Sequence, residues 1–88
     1  MIRENTNLLN VKGDVTSLLL VLHGEAEGPL AKISHRFEDI ILTQLHSKPE
    51  KGKCLELFVL QGLAAKIIEM DKAMKAVRQV RYSKIVYV

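Results

Sequence analysis

The sequence has few of the features that mark secreted or membrane-spanning proteins. Cys54 is its only cysteine, so no intrachain disulfide forms and we expect a reduced, free thiol. The longest apolar run, Leu18 to Leu22, is far too short to cross a bilayer. The opening segment, Met1 to Asn10, is polar and does not resemble a signal peptide. These observations predict a cytoplasmic protein with no membrane partner.

Aromatic residues and an excess of one charge are also scarce. The chain has two Phe, two Tyr and no Trp, and 13 basic against 10 acidic residues give a net charge of +3. Lys48, Lys51 and Lys53 cluster around one turn. A nucleic-acid-binding surface is usually denser in basic side chains and includes aromatic residues between them. We therefore expect no direct DNA binding and a solvated lysine turn.

The length and hydrophobicity are those of one small domain. Hydrophobic residues make up 48% of the 88 residues, which is enough for a packed core. A chain this short buries only about 60–65% of its unfolded surface, so we expect oligomerisation to add stability. Residues 1–12 are predicted to be a loose lead-in, and residues 13–88 are predicted to form the domain.

The hydrophobic pattern alternates between the periods of strands and helices. Candidate strands lie at 15–22, 40–45, 55–60 and 80–88, and the helical stripes comprise Leu30, Ile33, Phe37 and Ile40, then Ala64, Ile67, Met70, Met74 and Val77. The segment 40–45 also fits the end of the first helix. The order strand, helix, strand, strand, helix, strand predicts an α+β, ferredoxin-like βαββαβ fold: a four-stranded antiparallel sheet with two helices on one face.

His46 and Cys54 are the first candidates for chemistry. In a hairpin centred on Glu50 they stand four residues on either side and face each other. Directly opposed Cβ atoms lie about 4.5–5.5 Å apart, close enough for an imidazole and a thiolate to share a metal ion. The alternatives are a small buried Cys54 beside a solvated His46, or a nucleophilic pair. His23 follows the first strand, where we expect a solvated loop residue that binds no metal.

Three spacings then point to a family. His35 precedes His46 by eleven residues, and His46 precedes Cys54 by eight. Cys54 opens Cys-Leu-Glu and precedes Gly62, the end of Val-Leu-Gln-Gly, by eight. This arrangement resembles the C-terminal domain of the nickel-responsive repressors (NikR), and the resemblance extends over roughly Gly13 to Val86.

The resemblance implies an ACT-like ferredoxin fold assembled into a tetramer, a dimer of dimers. It implies a nickel ion at a subunit interface, with His46 and Cys54 as ligands from one subunit and His35 from its neighbour. Glu56 matches an acidic residue that links the sites by hydrogen bonds. The resemblance implies a transition metal as cofactor, with nickel as the first expectation and zinc, copper or no metal as the alternatives.

Two departures from the family matter. The family has a second histidine where Lys48 stands, so at most three of four matching ligands remain. Water could fill the fourth position, the metal could be weakly bound and optional, or the Lys48 ammonium could leave the fold without metal. The family also places a ribbon-helix-helix domain before this module, and residues 1–12 are too short for one.

The resulting hypothesis is a metal-sensing and oligomerisation module without catalysis, similar to a transcriptional regulator but lacking its own DNA-binding domain. One alternative is a metal-silent ACT-like domain that binds a small effector or serves in assembly. Another is an enzyme with Cys54 as nucleophile, which would require a reactive thiolate.

Overall fold

An antiparallel sheet with two helices on one face makes up the computed structural model, which describes residues 3–4 and 13–88. The strand order is β1-β5-β2-β4-β3. The four long strands and two helices confirm the predicted ferredoxin-like fold, and β1 is a two-residue addition beside β5. The elements are β1 (Arg3–Glu4), β2 (Asp14–His23), α1 (Glu27–Arg36), a 3-10 turn (Glu38–Ile40), β3 (Ile41–Glu50), β4 (Lys53–Leu63), α2 (Ala64–Lys75) and β5 (Val80–Tyr87).

Of the predicted lead-in, residues 1–12, the structure describes only residues 3 and 4. Residues 1–2 and 5–12 lie outside the described residues, so their expected looseness stays a prediction. Arg3 and Glu4 pair with Tyr87 and Val86 at the edge of the sheet.

The centre of the sheet is the pair β2 and β4. Their antiparallel register runs without a break from the pair Asp14 and Leu63 to the pair His23 and Cys54. Because side chains alternate between the faces of a sheet, every second residue points toward the helices. Leu19, Val21 and Phe58 are fully buried on that side. His23, Cys54 and Glu56 share their parity and therefore their face.

The helices cover this face with the residues that the helical spacing predicted. Ile67, Met70 and Met74 of α2 are fully buried, and Leu30 of α1 is 3% exposed. The predicted first stripe is divided, because α1 ends at Arg36 and the buried Ile40 belongs to the 3-10 turn.

Two polar contacts attach α2 to its neighbours. Ser83 Oγ donates a 2.5 Å hydrogen bond to Oδ1 of the buried Asp71, whose Oδ2 lies 2.9 Å from Lys75 Nζ. Lys66 Nζ donates to Asp39 Oδ2 at 2.5 Å. That hydrogen bond holds the pKa of the exposed Asp39 below its usual value.

The opposite side of the sheet is uncovered and largely apolar, with polar residues such as Lys84, which pairs with Leu20, among its hydrophobic side chains. No described helix packs on it, although it carries large hydrophobic side chains, of which Leu45 is 59% and Tyr82 50% exposed. We call this surface the open face; it comprises Leu18, Leu20, Leu22, Leu45, Leu55, Leu57, Val59, Leu63 and Tyr82. Apolar surfaces of this kind commonly mark protein–protein interfaces.

Among the described residues, no helix combines the length and the apolar content that crossing a membrane requires.

Candidate metal centre

The hairpin of β3 and β4 turns later than the sequence suggested. Gly52 has a φ of 78°, a conformation that glycine adopts without strain, and it places the turn at Lys51 and Gly52. His46 consequently pairs with Glu56, not with Cys54. The predicted pairing of His46 with Cys54 about Glu50 is therefore wrong. The register also shifts between Ser47 and Glu50.

Cys54 instead faces His23 across the two central strands. The expectation that His23 is a solvated loop residue is wrong, because β2 extends far enough to include it. His23 is 1% and Cys54 3% exposed, so both lie under the helical layer. Sequence reasoning missed His23, but the alternation Leu19, Val21, His23 already carried the signal that would place it on the buried face.

His46 completes a cluster with these two residues. One ligand atom from each of His23, His46 and Cys54 lies within 4.8 Å of the other two. The two imidazole ring centroids are 6.2 Å apart. His46 is exposed to solvent on β3, the edge strand of the sheet. The cluster thus joins two buried donors to one that solvent reaches.

The donor set fits a transition-metal ion. Bond lengths of about 2.0–2.1 Å to nitrogen and 2.3 Å to sulfur place the ligands of one zinc-like ion about 3.4–3.7 Å apart in a tetrahedron. The three ligand atoms of the cluster lie within 4.8 Å of one another, which is of the same order as these separations. Thiolate and imidazole ligands suit nickel, copper and zinc, whereas calcium and magnesium prefer oxygen.

The buried carboxylate of Glu56 contacts the cluster through His23. Glu56 is 6% exposed; its Oε2 lies 3.0 Å from His23 Nε2, and its Oε1 accepts a 2.8 Å hydrogen bond from Gln44 Nε2. His23 Nδ1 also contacts the carbonyl oxygen of Gly24. Both ring nitrogens thus face acceptors, so a metal ion at His23 has to replace one of these hydrogen bonds. A carboxylate on the other nitrogen orients a ligating imidazole. Glu56 is placed for that role.

His35 lies apart from the cluster within the single chain. It is in the last turn of α1, its side chain is 83% exposed, and its Nδ1 lies 3.2 Å from Glu38 Oε2. The resemblance assigns it to a neighbouring subunit's metal, and that role stays a prediction. Its exposure leaves the ring accessible to a second chain.

Two cavities border the cluster. One, of about 250 Å³, opens between α1 and β3, and His46 and Glu56 line it. The other, of about 370 Å³, lies under the hairpin turn, and both Lys48 and Cys54 line it. Lys48 therefore lies beside the site and is exposed to solvent.

Comparison with known proteins assigns the chain to a family. The sequence profile described as "NikR C terminal nickel binding domain" matches residues 19–88. The chain belongs to this NikR domain family. The resemblance found in the sequence is thereby confirmed.

Curated relatives of this NikR domain carry matching names. The "Putative nickel-responsive regulator" of Methanopyrus kandleri is 41% identical over 66 residues, which cover 75% of this chain and 47% of that protein. The "Putative nickel-responsive regulator 1" of Methanosarcina mazei is 26% identical over 81 residues, covering 88% and 56%. The chain spans about half the length of these curated relatives.

A solved structure shares the fold of this NikR domain. It is that of an uncharacterized protein from Thermotoga maritima, with a TM-score of 0.75 and 18% sequence identity. The match covers 85% of this chain and 98% of that one.

Proposed function

We propose that this chain is the metal-sensing and assembly module of a nickel-responsive type of regulator. The observation that carries the proposal is the cluster of His23, His46 and Cys54, whose ligand atoms lie within 4.8 Å of one another. Membership of a nickel-binding family favours nickel over zinc and copper. His23 supplies the third in-chain donor that the family pattern loses at Lys48.

A second copy of the chain would supply the fourth ligand. His35 is 83% exposed, and its partner Glu38 is on the same short segment, so little holds the ring in place. The apolar open face supports self-association, because burying it in an oligomer removes hydrocarbon from water. A metal ion bound by residues of two chains stabilises their interface by its binding free energy. Metal concentration would thereby control assembly into the tetramer.

The module is proposed to act by binding and not by catalysis. Cys54 is 3% exposed, whereas nucleophilic cysteines are typically accessible and partly ionised. Its neighbours His23 and His46 are arranged as co-ligands. Operator binding is proposed to lie outside residues 13–88, because their basic side chains are scattered and few aromatics accompany them.

A nickel(II) titration followed by ultraviolet absorption tests the proposal. We expect a thiolate-to-nickel band that saturates near one ion per chain and is lost in Cys54→Ala. His23→Gln, which keeps a donor for Glu56, should weaken nickel binding. His35→Ala should retain the band but lose the nickel-induced association measured by analytical ultracentrifugation.

The controls separate loss of a ligand from loss of fold. Circular dichroism should show the same helix and strand content in every variant. The absence of a band with nickel or copper, together with no competition by zinc, would contradict the metal function. Oligomers that persist in a Cys54→Ala, His46→Ala double variant would then indicate an assembly module without metal.

A further inference from the structure

A cavity lined by charged residues adjoins Cys54 at the hairpin between β3 and β4. Three lysines line this cavity of about 370 Å³. They are Lys48 near the end of β3, Lys51 in the turn and Lys53 at the start of β4, and we call them together the lysine turn. The cavity is at the small end of the volumes that small-molecule sites occupy. Its lining consists of Glu25, Lys48, Pro49, Glu50, Lys51, Gly52, Lys53 and Cys54.

The lining residues that are not in an ion pair carry a net positive charge. Lys53 Nζ lies 3.7 Å from Glu50 Oε1, so these two charges offset each other. Within the described part of the chain, neither Lys48 nor Lys51 is in an ion pair. Glu25 is then the only other carboxylate among the lining residues. Two ammonium groups with one carboxylate leave a site that favours an anion.

The backbone gives the site a concave shape. The ladder between β3 and β4 is interrupted between Ser47 and Glu50, and Gly52 turns the chain with a φ of 78°. The turn bends over the end of β2, since a Cβ atom on Gly24 would lie 3.8 Å from the Gly52 carbonyl oxygen. The lysine turn and the loop after β2 thus form two walls, with Cys54 at the base.

We propose that this cavity binds a small anion, a phosphate-like oxyanion or a short carboxylate, through Lys48 and Lys51. We further propose that this anion and the metal ion at Cys54 bind cooperatively. Because Cys54 lines this cavity, a divalent cation held there would add positive charge at its base, which attracts an anion more strongly. Each ligand must then raise the affinity of the other by the same factor.

In this proposal Lys48, which stands where the family has a histidine, has a function of its own. An ammonium group at this position does not ligate the metal, but it holds the anion that balances the metal's charge. The cooperativity between anion and metal rests on the proposed metal function. Anion binding to the metal-free chain is independent of that function.

The test measures anion binding to the metal-free protein by titration with inorganic phosphate, followed in ¹⁵N–¹H spectra. We expect saturable shifts at residues 48–54, and affinities about fivefold or more lower in Lys48→Gln and in Lys51→Gln. Lys32→Gln, a change at an exposed lysine of α1, is the matched control and should bind phosphate like the wild type. Malonate provides the carboxylate arm, and chloride at equal ionic strength should give no saturable shift.

The coupling is measured separately, as the nickel affinity with and without saturating phosphate at buffered free nickel. We expect phosphate to tighten nickel binding about fivefold or more in the wild type and not in Lys48→Gln. Equal losses of phosphate affinity in Lys48→Gln and Lys32→Gln would overturn the anion site. An unchanged nickel affinity beside an intact thiolate band would overturn the coupling while leaving the metal function in place.

Discussion

His23 lies directly opposite Cys54 on the two central strands of the sheet. This pair ends an unbroken register, and both side chains are buried beneath the helices. The third donor, His46, is on the exposed edge strand. One end of the two central strands therefore holds an imidazole and a thiol in a fixed relation, and the edge strand supplies the remaining donor.

The first prediction concerns the exchange of one ligand for another. Lys48→His restores the imidazole of the family pattern beside Cys54. We expect His23→Gln to weaken nickel binding in the wild type. In the Lys48→His background the same substitution should weaken nickel binding much less, because the imidazole at position 48 replaces the one lost at position 23. A double-mutant cycle on nickel affinity measures this coupling. Equal effects of His23→Gln in both backgrounds would show that position 48 does not reach the ion.

A second prediction follows from the close packing at Gly62. A Cβ atom there would lie 2.6 Å from Ile40 Cγ2 and 3.2 Å from Ile40 Cβ. We expect Gly62→Ala to lower the free energy of unfolding by about 1–3 kcal/mol, because the 3-10 turn has to shift. In an Ile40→Ala background the same change should cost much less. Urea unfolding of the four proteins gives the comparison, and additive losses would contradict the steric explanation.

The hydroxyl group of Ser17 yields a third prediction. Ser17 is fully buried, and its Oγ has no hydrogen-bond partner within the described residues. Because a buried, unsatisfied polar group is costly, Ser17→Ala should raise the free energy of unfolding by about 1 kcal/mol. Ser83→Ala is the contrasting control, since its Oγ is bonded to Asp71 and its loss should destabilise the fold. Destabilisation by Ser17→Ala would indicate that its hydroxyl is hydrogen-bonded after all.

The open face leads to a fourth prediction. Leu45→Lys places a charge among its apolar side chains, so we expect weaker self-association at an unchanged secondary-structure content. Ala65→Lys adds the same charge at an exposed position of α2 and should leave association unaltered. Sedimentation velocity over a concentration series compares the two variants. A similar loss in both would point to net charge and not to this surface.

The fifth prediction uses the contact between Asp39 and Lys66. Because the hydrogen bond from Lys66 holds the folded-state pKa of Asp39 below its ordinary value of 3.8, the contact stabilises the fold above that value. The contribution is lost as the pH falls through the folded-state pKa. Lys66→Gln should therefore lower the melting temperature slightly at about pH 6, and the difference from wild type should disappear near about pH 2. A difference that is independent of pH would assign the effect to packing.

The sequence contains enough information for the fold and for part of the site. The period-two and helical patterns predict β2, β4, β5 and both helices, because the burial of Leu19, Phe58 and Ile67 repeats with those periods. The segment 40–45 fits a strand or the end of the first helix, and β3 in fact extends from Ile41 to Glu50 with no alternation of burial. The spacing of His46 and Cys54 identifies the family, and the profile match confirms it. These features are local or have fixed separations along the chain.

The predictions about the site that were wrong concern which residues face each other on neighbouring strands. The turn is positioned by the backbone conformation of Gly52. A turn centred on Glu50, as expected from the sequence, pairs His46 with Cys54, whereas the partner of His46 is Glu56. His23 reaches Cys54 only through the register of β2 with β4, which joins residues that are far apart in sequence. Neither the hydrophobic period nor a ligand motif specifies that register, so the third in-chain donor emerges only from the folded sheet.

The interrupted pairing between Ser47 and Glu50 has an evolutionary consequence. Residues can be gained or lost in this irregular stretch without disturbing the central strands, so His23, Cys54 and His46 keep their pairing while Lys48 and the turn are repositioned. Descendants of one ancestral chain could thus acquire different metal preferences through changes of loop length alone, with the hydrophobic core left intact.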